Sequence, residues 1–267
     1  MAEVNANGVR FHVQRLGVRT EGPVVVFLHG LVMDNLSSWY FTVAGAVSDG
    51  SEVLLYDLRG HGNSERPRSG YDVGTMAEDL GAILDAVAPG RHAVLVGNSF
   101  GGAVALAFAA THPDRVAGLC LIDAHISDSS FGAVMGKTLR LQGAERDAKI
   151  AESFKDWVGR NSDKRRNRLA EKARALVEDT TLVADLDAAP AIDLAGLDAL
   201  RLRRVPVRLL YGGASDVLDK GRALAAALGA DAAELEVLEG ATHAILWEAT
   251  DRVRAAVLEV VGRAVSM

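Results

Sequence analysis

One cysteine and no long apolar run set the first limits on this chain of 267 residues. Cys120 stands alone, so no intrachain disulfide can form, and its place within the apolar run Val116 to Ile122 makes it a small core residue rather than a metal or redox ligand. No stretch approaches the ~20 uninterrupted apolar residues of a membrane span, so a soluble protein without a membrane partner is expected. A positive excess is also missing. With 29 Lys+Arg against 35 Asp+Glu, the net charge of −6 gives no general electrostatic reason to bind nucleic acid or an anionic membrane. The segment Met1 to Val9 lacks the basic and apolar regions of a secretory signal, and a cytoplasmic location is expected.

What the chain has is rhythm. Short Val/Leu/Ile runs recur at Val24 to Leu28, Glu52 to Tyr56, Ala93 to Val96, Val116 to Ile122, Val207 to Leu210 and Glu234 to Leu238, with helical patterns in most gaps. Continuous rather than alternating apolar runs predict strands covered on both faces, hence a mostly parallel sheet with crossover helices. Val9 to Leu16 reads as part of an antiparallel edge hairpin. Between about His125 and Arg204 no strand-like run appears and helical spacing takes over. The expected organisation is a core of residues 1–124 and 205–267, with 125–204 inserted as a helical lid near the strand ends where ligands bind.

The pentapeptide Gly97-Asn98-Ser99-Phe100-Gly101 lies between a strand-like run and a helical one. A serine on such a strand-to-helix turn is forced into a strained backbone that only small neighbours permit, and its hydroxyl is lifted above the sheet. A hydroxyl is a weak nucleophile at neutral pH and needs a base oriented by an acid. Of seven histidines, only His243 follows the last strand run in a short loop before the final helix. The acid should follow a strand at the same edge. Asp216, after Val207 to Leu210, meets that demand and precedes His243 in the chain; Asp123, ending Val116 to Ile122, is the rival. Two fixed N–H donors are needed for an acyl-transfer oxyanion, and the backbones of Leu31, after His29-Gly30, and Phe100 are the candidates.

His29-Gly30, the stretch Asp57 to Ser64, the Gly97 to Gly101 elbow, Asp216 and His243 occur in the order found in the α/β-hydrolase superfamily, which the chain resembles over nearly its whole length outside the insertion. The resemblance implies an α/β-hydrolase fold, with a mostly parallel central sheet flanked by helices and an inserted helical lid. The Asp57 to Ser64 loop most resembles the branch of lidded esterases, C–C bond hydrolases, cofactor-free haloperoxidases and thioesterases. Relatives with an aspartate nucleophile are disfavoured because position 99 is serine.

The expected activity is hydrolysis of a medium-sized, largely apolar carboxylic ester or thioester through an acyl-enzyme on Ser99, with no cofactor and no metal. C–C bond hydrolysis of a diketone with the same triad, and a non-hydrolytic or ligand-binding role on the same fold, are the alternatives. Met33, Trp39, Phe100, Phe131, Met135, Trp157 and Trp247 are candidates to line an acyl pocket, with Trp39, Phe100 and Trp247 preferred because they adjoin the motifs, and Trp39 and Trp247 taken as the substrate-binding residues. The basic cluster Lys164, Arg165, Arg166, Arg168, Lys172 and Arg174 reads as a solvated helix face, with docking of an acyl carrier protein or a coenzyme A thioester the alternative.

Overall fold

A computed structural model describes residues 2–18, 21–141, 145, 163–229 and 231–266. Eight strands, β1 (Ala2–Ala6), β2 (Val9–Leu16), β3 (Val24–Leu28), β4 (Val53–Tyr56), β5 (Ala93–Asn98), β6 (Val116–Ile122), β7 (Val207–Gly212) and β8 (Ala233–Leu238), form one sheet in the order β1-β2-β4-β3-β5-β6-β7-β8. The first hairpin joins antiparallel, β2 pairs antiparallel with β4, and every later pairing is parallel.

The continuous apolar runs divide residue by residue between two cores. In β3, Val24, Val26 and Leu28 face one layer while Val25 and Phe27 face the other; in β5, Ala93 and Leu95 oppose Val94 and Val96. This is the period-two alternation of a strand with both faces covered. The helices Val73–Val87, Ser99–Thr111 and Leu218–Leu228 cover the first face, and the helical stretch 37–48 with the helix Thr250–Val265 covers the second. Cys120 is fully buried in the second core.

Between β6 and β7 the described residues contain helices Phe131–Leu139, Asp163–Asp179, Leu182–Ala188 and Asp198–Leu202 and no strand. Residues 142–144 and 146–162 of the expected insertion lie outside the described residues, Trp157 among them. The helical segment is tied to the loop after β4. Asp185 accepts the Gly70 and Tyr71 amides at 2.9 Å each, Thr181 donates its N–H to the Arg68 carbonyl at 2.9 Å, and the Lys172 ammonium donates to Gly62 O at 2.7 Å. Among the described residues, no helix is long and apolar enough to cross a membrane.

Candidate active site

Strand β5 ends in extended backbone at Asn98, and the chain then turns into the left-handed region at Ser99, with φ +52°, before the helix Ser99–Thr111 begins. The surrounding glycines are enforced by space. A Cβ at Gly97 would lie 2.5 Å from the Gly101 carbonyl oxygen, and one at Gly101 would collide with the Leu28 and His29 carbonyls. The elbow therefore holds Ser99 at the carboxyl edge of the sheet with its hydroxyl exposed to a neighbour.

That neighbour is His243. Ser99 Oγ lies 2.9 Å from His243 Nε2, and His243 Nδ1 lies 2.6 Å from Asp123 Oδ2. A carboxylate accepts, so Nδ1 carries the proton and Nε2 is left free to accept one from Ser99. The loop that carries His243 is pinned by Glu248, whose carboxylate accepts from the amide and hydroxyl of Thr242, both at 2.7 Å.

The carboxylate that meets His243 is thus Asp123, and the expectation of Asp216 is corrected. Asp123 is almost completely buried, with φ +45°, and Asp216 is exposed. Asp123 accepts from the Gly212 amide at 2.8 Å and from the Ser215 hydroxyl, so the loop after β7 supports the carboxylate facing His243 instead of supplying it. The physical reason is reach: β6 lies beside β5, whereas β7 is one strand further from Ser99. Asp123 directly follows an apolar strand in the sequence, but Asp216 also follows one, so the sequence alone leaves both open.

His125 stands beside this relay, its ring 5.3 Å from that of His243, and burial with the neighbouring imidazole lowers its pKa to about 4. Its amide donates to the Ser99 carbonyl at 3.0 Å, joining the end of β6 to the elbow.

The loop after β3 is held by two histidines. His29 Nε2 accepts the Leu58 amide at 2.9 Å while Nδ1 bonds Gly30 O at 2.7 Å; His61 Nε2 accepts the Val32 amide at 2.8 Å while Nδ1 bonds Arg59 O at 2.8 Å. In each ring one nitrogen accepts a backbone N–H, so each imidazole is neutral. Burial, reinforced by His29, lowers the His61 pKa to about 3. The contact with His61 is made where it is needed, because Val32 is a β-branched residue at φ +68°. Asp57 adds a bond from the Leu36 amide at 2.9 Å. The Asp57 to Ser64 stretch is therefore a brace for the loop that carries Leu31.

A pocket opens above Ser99, lined by Gly30, Leu31, Met33, Asp34, Asn98, His243, Ala244, Leu246 and Trp247. Trp247 is half-buried at this wall. Trp39, the other expected substrate-binding residue, is corrected to core: it is fully buried, packs on Phe27 at 5.0 Å, and donates its indole N–H to Leu28 O at 2.9 Å. Phe100 is fully buried as well, its ring stacked on Phe131 at 6.2 Å. Asp34, unmarked in the sequence reading, lines the pocket, and its signal was a lone carboxylate inside the loop that follows His29-Gly30. In the basic cluster the side chains of Lys164, Arg165, Arg166 and Arg168 lie outside the described residues, and Arg174 pairs with Glu178 at 3.8 Å.

Similar proteins agree with this architecture. The chain is 34% identical over 143 residues to a 2-(acetamidomethylene)succinate hydrolase of Mesorhizobium japonicum, covering 52% of this chain and 50% of that protein. It is 36% identical over 121 residues to epoxide hydrolase A of Mycobacterium tuberculosis, covering 45% and 37%. These matches span half or less of the relatives' length. Among solved structures, a meta-cleavage product hydrolase from Pseudomonas fluorescens IP01 superposes with a TM-score of 0.78 at 22% identity, over 99% of this chain and 98% of that one, a likeness of fold. The family model for the alpha/beta hydrolase fold matches residues 23–250, and the chain belongs to the α/β-hydrolase family.

Proposed function

We propose that this protein is a serine hydrolase that cleaves a carboxylic ester or thioester through an acyl-enzyme on Ser99. The observation that carries this reading is the continuous relay from Ser99 Oγ through His243 to the buried Asp123, at 2.9 and 2.6 Å. A curated relative with a hydrolase name, the Mesorhizobium protein, supports the reaction type.

In this mechanism Ser99 Oγ bonds the substrate carbonyl carbon as its proton passes to His243 Nε2. Asp123 holds the imidazole in the required tautomer and stabilises the imidazolium that forms. The Leu31 and Phe100 amides are the proposed oxyanion donors, each worth roughly 3 kcal/mol in the transition state. The C–O or C–S bond then breaks, and the leaving group takes the proton back from Nε2. Water repeats the sequence: His243 accepts its proton, the acid product is released, and Ser99 Oγ is reprotonated. The side chains of Leu31, Met33, Leu246 and Trp247 in the pocket lining favour a largely apolar substrate of medium size. The insertion 125–204 is proposed as a lid, supported by the bonds of its described helices to the loop after β4 and by the packing of Phe131 on Phe100.

The test is covalent labelling of Ser99 by an alkyl fluorophosphonate, read by intact mass, beside turnover of p-nitrophenyl esters. Wild type should be labelled once and turn over esters, and Ser99→Ala should lose both, with roughly 10⁴-fold or more lost in turnover. An unlabelled wild type with no ester turnover would contradict the proposal.

A further inference from the structure

The pocket holds one carboxylate outside the relay. Asp34 Oδ1 accepts from the Asn35 amide at 2.8 Å and from the Ser38 hydroxyl, so its acceptor positions are filled; among the described residues Oδ2 accepts only the Gly30 amide, at 2.7 Å. A carboxylate offers about four acceptor positions, so Oδ2 keeps one. That oxygen lies near the nucleophile elbow, on the Gly30 side of the pocket. A methyl group built on Gly30 would lie 3.1 Å from Asp34 Oδ2, 3.5 Å from Ser99 Cβ and 3.7 Å from the Asn98 amide nitrogen. Asn98 also has a buried Oδ1 with no hydrogen-bond partner.

The charge around this oxygen is not balanced. Among the described residues no Lys or Arg lines the pocket and none pairs with Asp34. Asn98 is the other polar side chain near Asp34 in the pocket lining, so a hydrogen-bond donor placed there finds its acceptor in Asp34 or in the Asn98 side-chain carbonyl. His243 must hand its proton to the leaving group, which assigns that group to the wall of His243, Ala244 and Trp247. The acyl portion then lies against Gly30, Met33, Asp34 and Asn98.

We infer that Asp34 determines acyl specificity, selecting substrates whose acyl group carries a hydrogen-bond donor, a hydroxyl or an ammonium, close to the carbonyl, and rejecting those that carry a carboxylate there. The inference rests on the proposed acyl transfer to Ser99. An acyl donor meets the open position on Oδ2. An acyl carboxylate meets a like charge with no cation beside it.

Three short fluorophosphonates of equal length, ending in an ammonium, a methyl and a carboxylate group, separate the two claims. Each would react by displacement of fluoride by Ser99 Oγ, so its labelling rate reports how the pocket receives the chain. The ammonium reagent should label wild type at least tenfold faster than the carboxylate reagent, and Asp34→Asn should reduce that ratio at least tenfold. Labelling of Asp34→Asn by the methyl reagent shows that the variant folds. Asp34→Glu provides a second variant, which should restore an ammonium preference above that of Asp34→Asn. A ratio unchanged between wild type and Asp34→Asn, with Ser99 labelled in both, overturns the role of Asp34 and leaves the hydrolase reading intact. No labelling of wild type by any of the three overturns both.

Discussion

Ser99 and Asp123 leave the sheet side by side. Each follows a member of a registered pair, Asn98 on β5 and Ile122 on β6, and each turns into positive φ, +52° and +45°. Two adjacent parallel strands thus end in the same backbone turn and aim a hydroxyl and a carboxylate at one histidine. The bond from the His125 amide to the Ser99 carbonyl locks the two turns together.

The elbow should tolerate no side chain at Gly101. Gly101→Ala pushes a methyl group into the Leu28 and His29 carbonyls, and overpacking of a rigid site costs about 1–3 kcal/mol or more. Gly262 is the control, for it lies within the helix Thr250–Val265 with nothing within 4 Å of its Cβ position. Gly262→Ala should stabilise the protein by about 0.5–1 kcal/mol. Urea denaturation of both variants checks the contrast.

The two tryptophans beside the motifs should behave differently. Trp39→Ala should cost about 3–5 kcal/mol of stability, as loss of a fully buried indole does. Trp247→Ala should leave the melting temperature within a few degrees and raise KM for ester substrates, because its ring lines the pocket. Melting temperatures and steady-state kinetics of the pair distinguish core from pocket.

Acid should destabilise the fold through His61. Its pKa is lowered from the ordinary 6.5 to about 3, so between those values the unfolded chain binds a proton that the folded one does not. Its contribution is intact above pH 6.5 and is lost as pH falls towards 3, at up to ~1.4 kcal/mol per pH unit. His125, lowered to about 4, acts with the same sign. Denaturation at a series of pH values should give a shallower decline for His61→Gln than for wild type; parallel slopes would refute the assignment.

Much of this molecule is written locally. The apolar runs specify strands because each residue of a doubly covered strand must be apolar, and the Gly97 to Gly101 spacing specifies the elbow because a Cβ there has no room. His243 follows from its loop after the last strand. Asp123 and Asp216 could not be separated in this way. Both follow strands that end at the same edge, and what decides between them is which strand lies next to β5 and which carboxylate is buried among donors, relations that exist only in three dimensions. Adjacency misled for Trp39 in the same manner. It sits beside the motif in sequence, but its face of the helical stretch 37–48 points into the sheet.

The central claim is that Asp123, at the end of β6, is the acid of the triad. It is tested most directly by kcat/KM of Asp123→Asn and Asp216→Asn on one p-nitrophenyl ester. Asp123→Asn should lose roughly 10⁴-fold in turnover while folding normally, and Asp216→Asn, at an exposed position, should stay within about threefold of wild type. The reverse pattern, with Asp216→Asn inactive and Asp123→Asn near wild type, would contradict it.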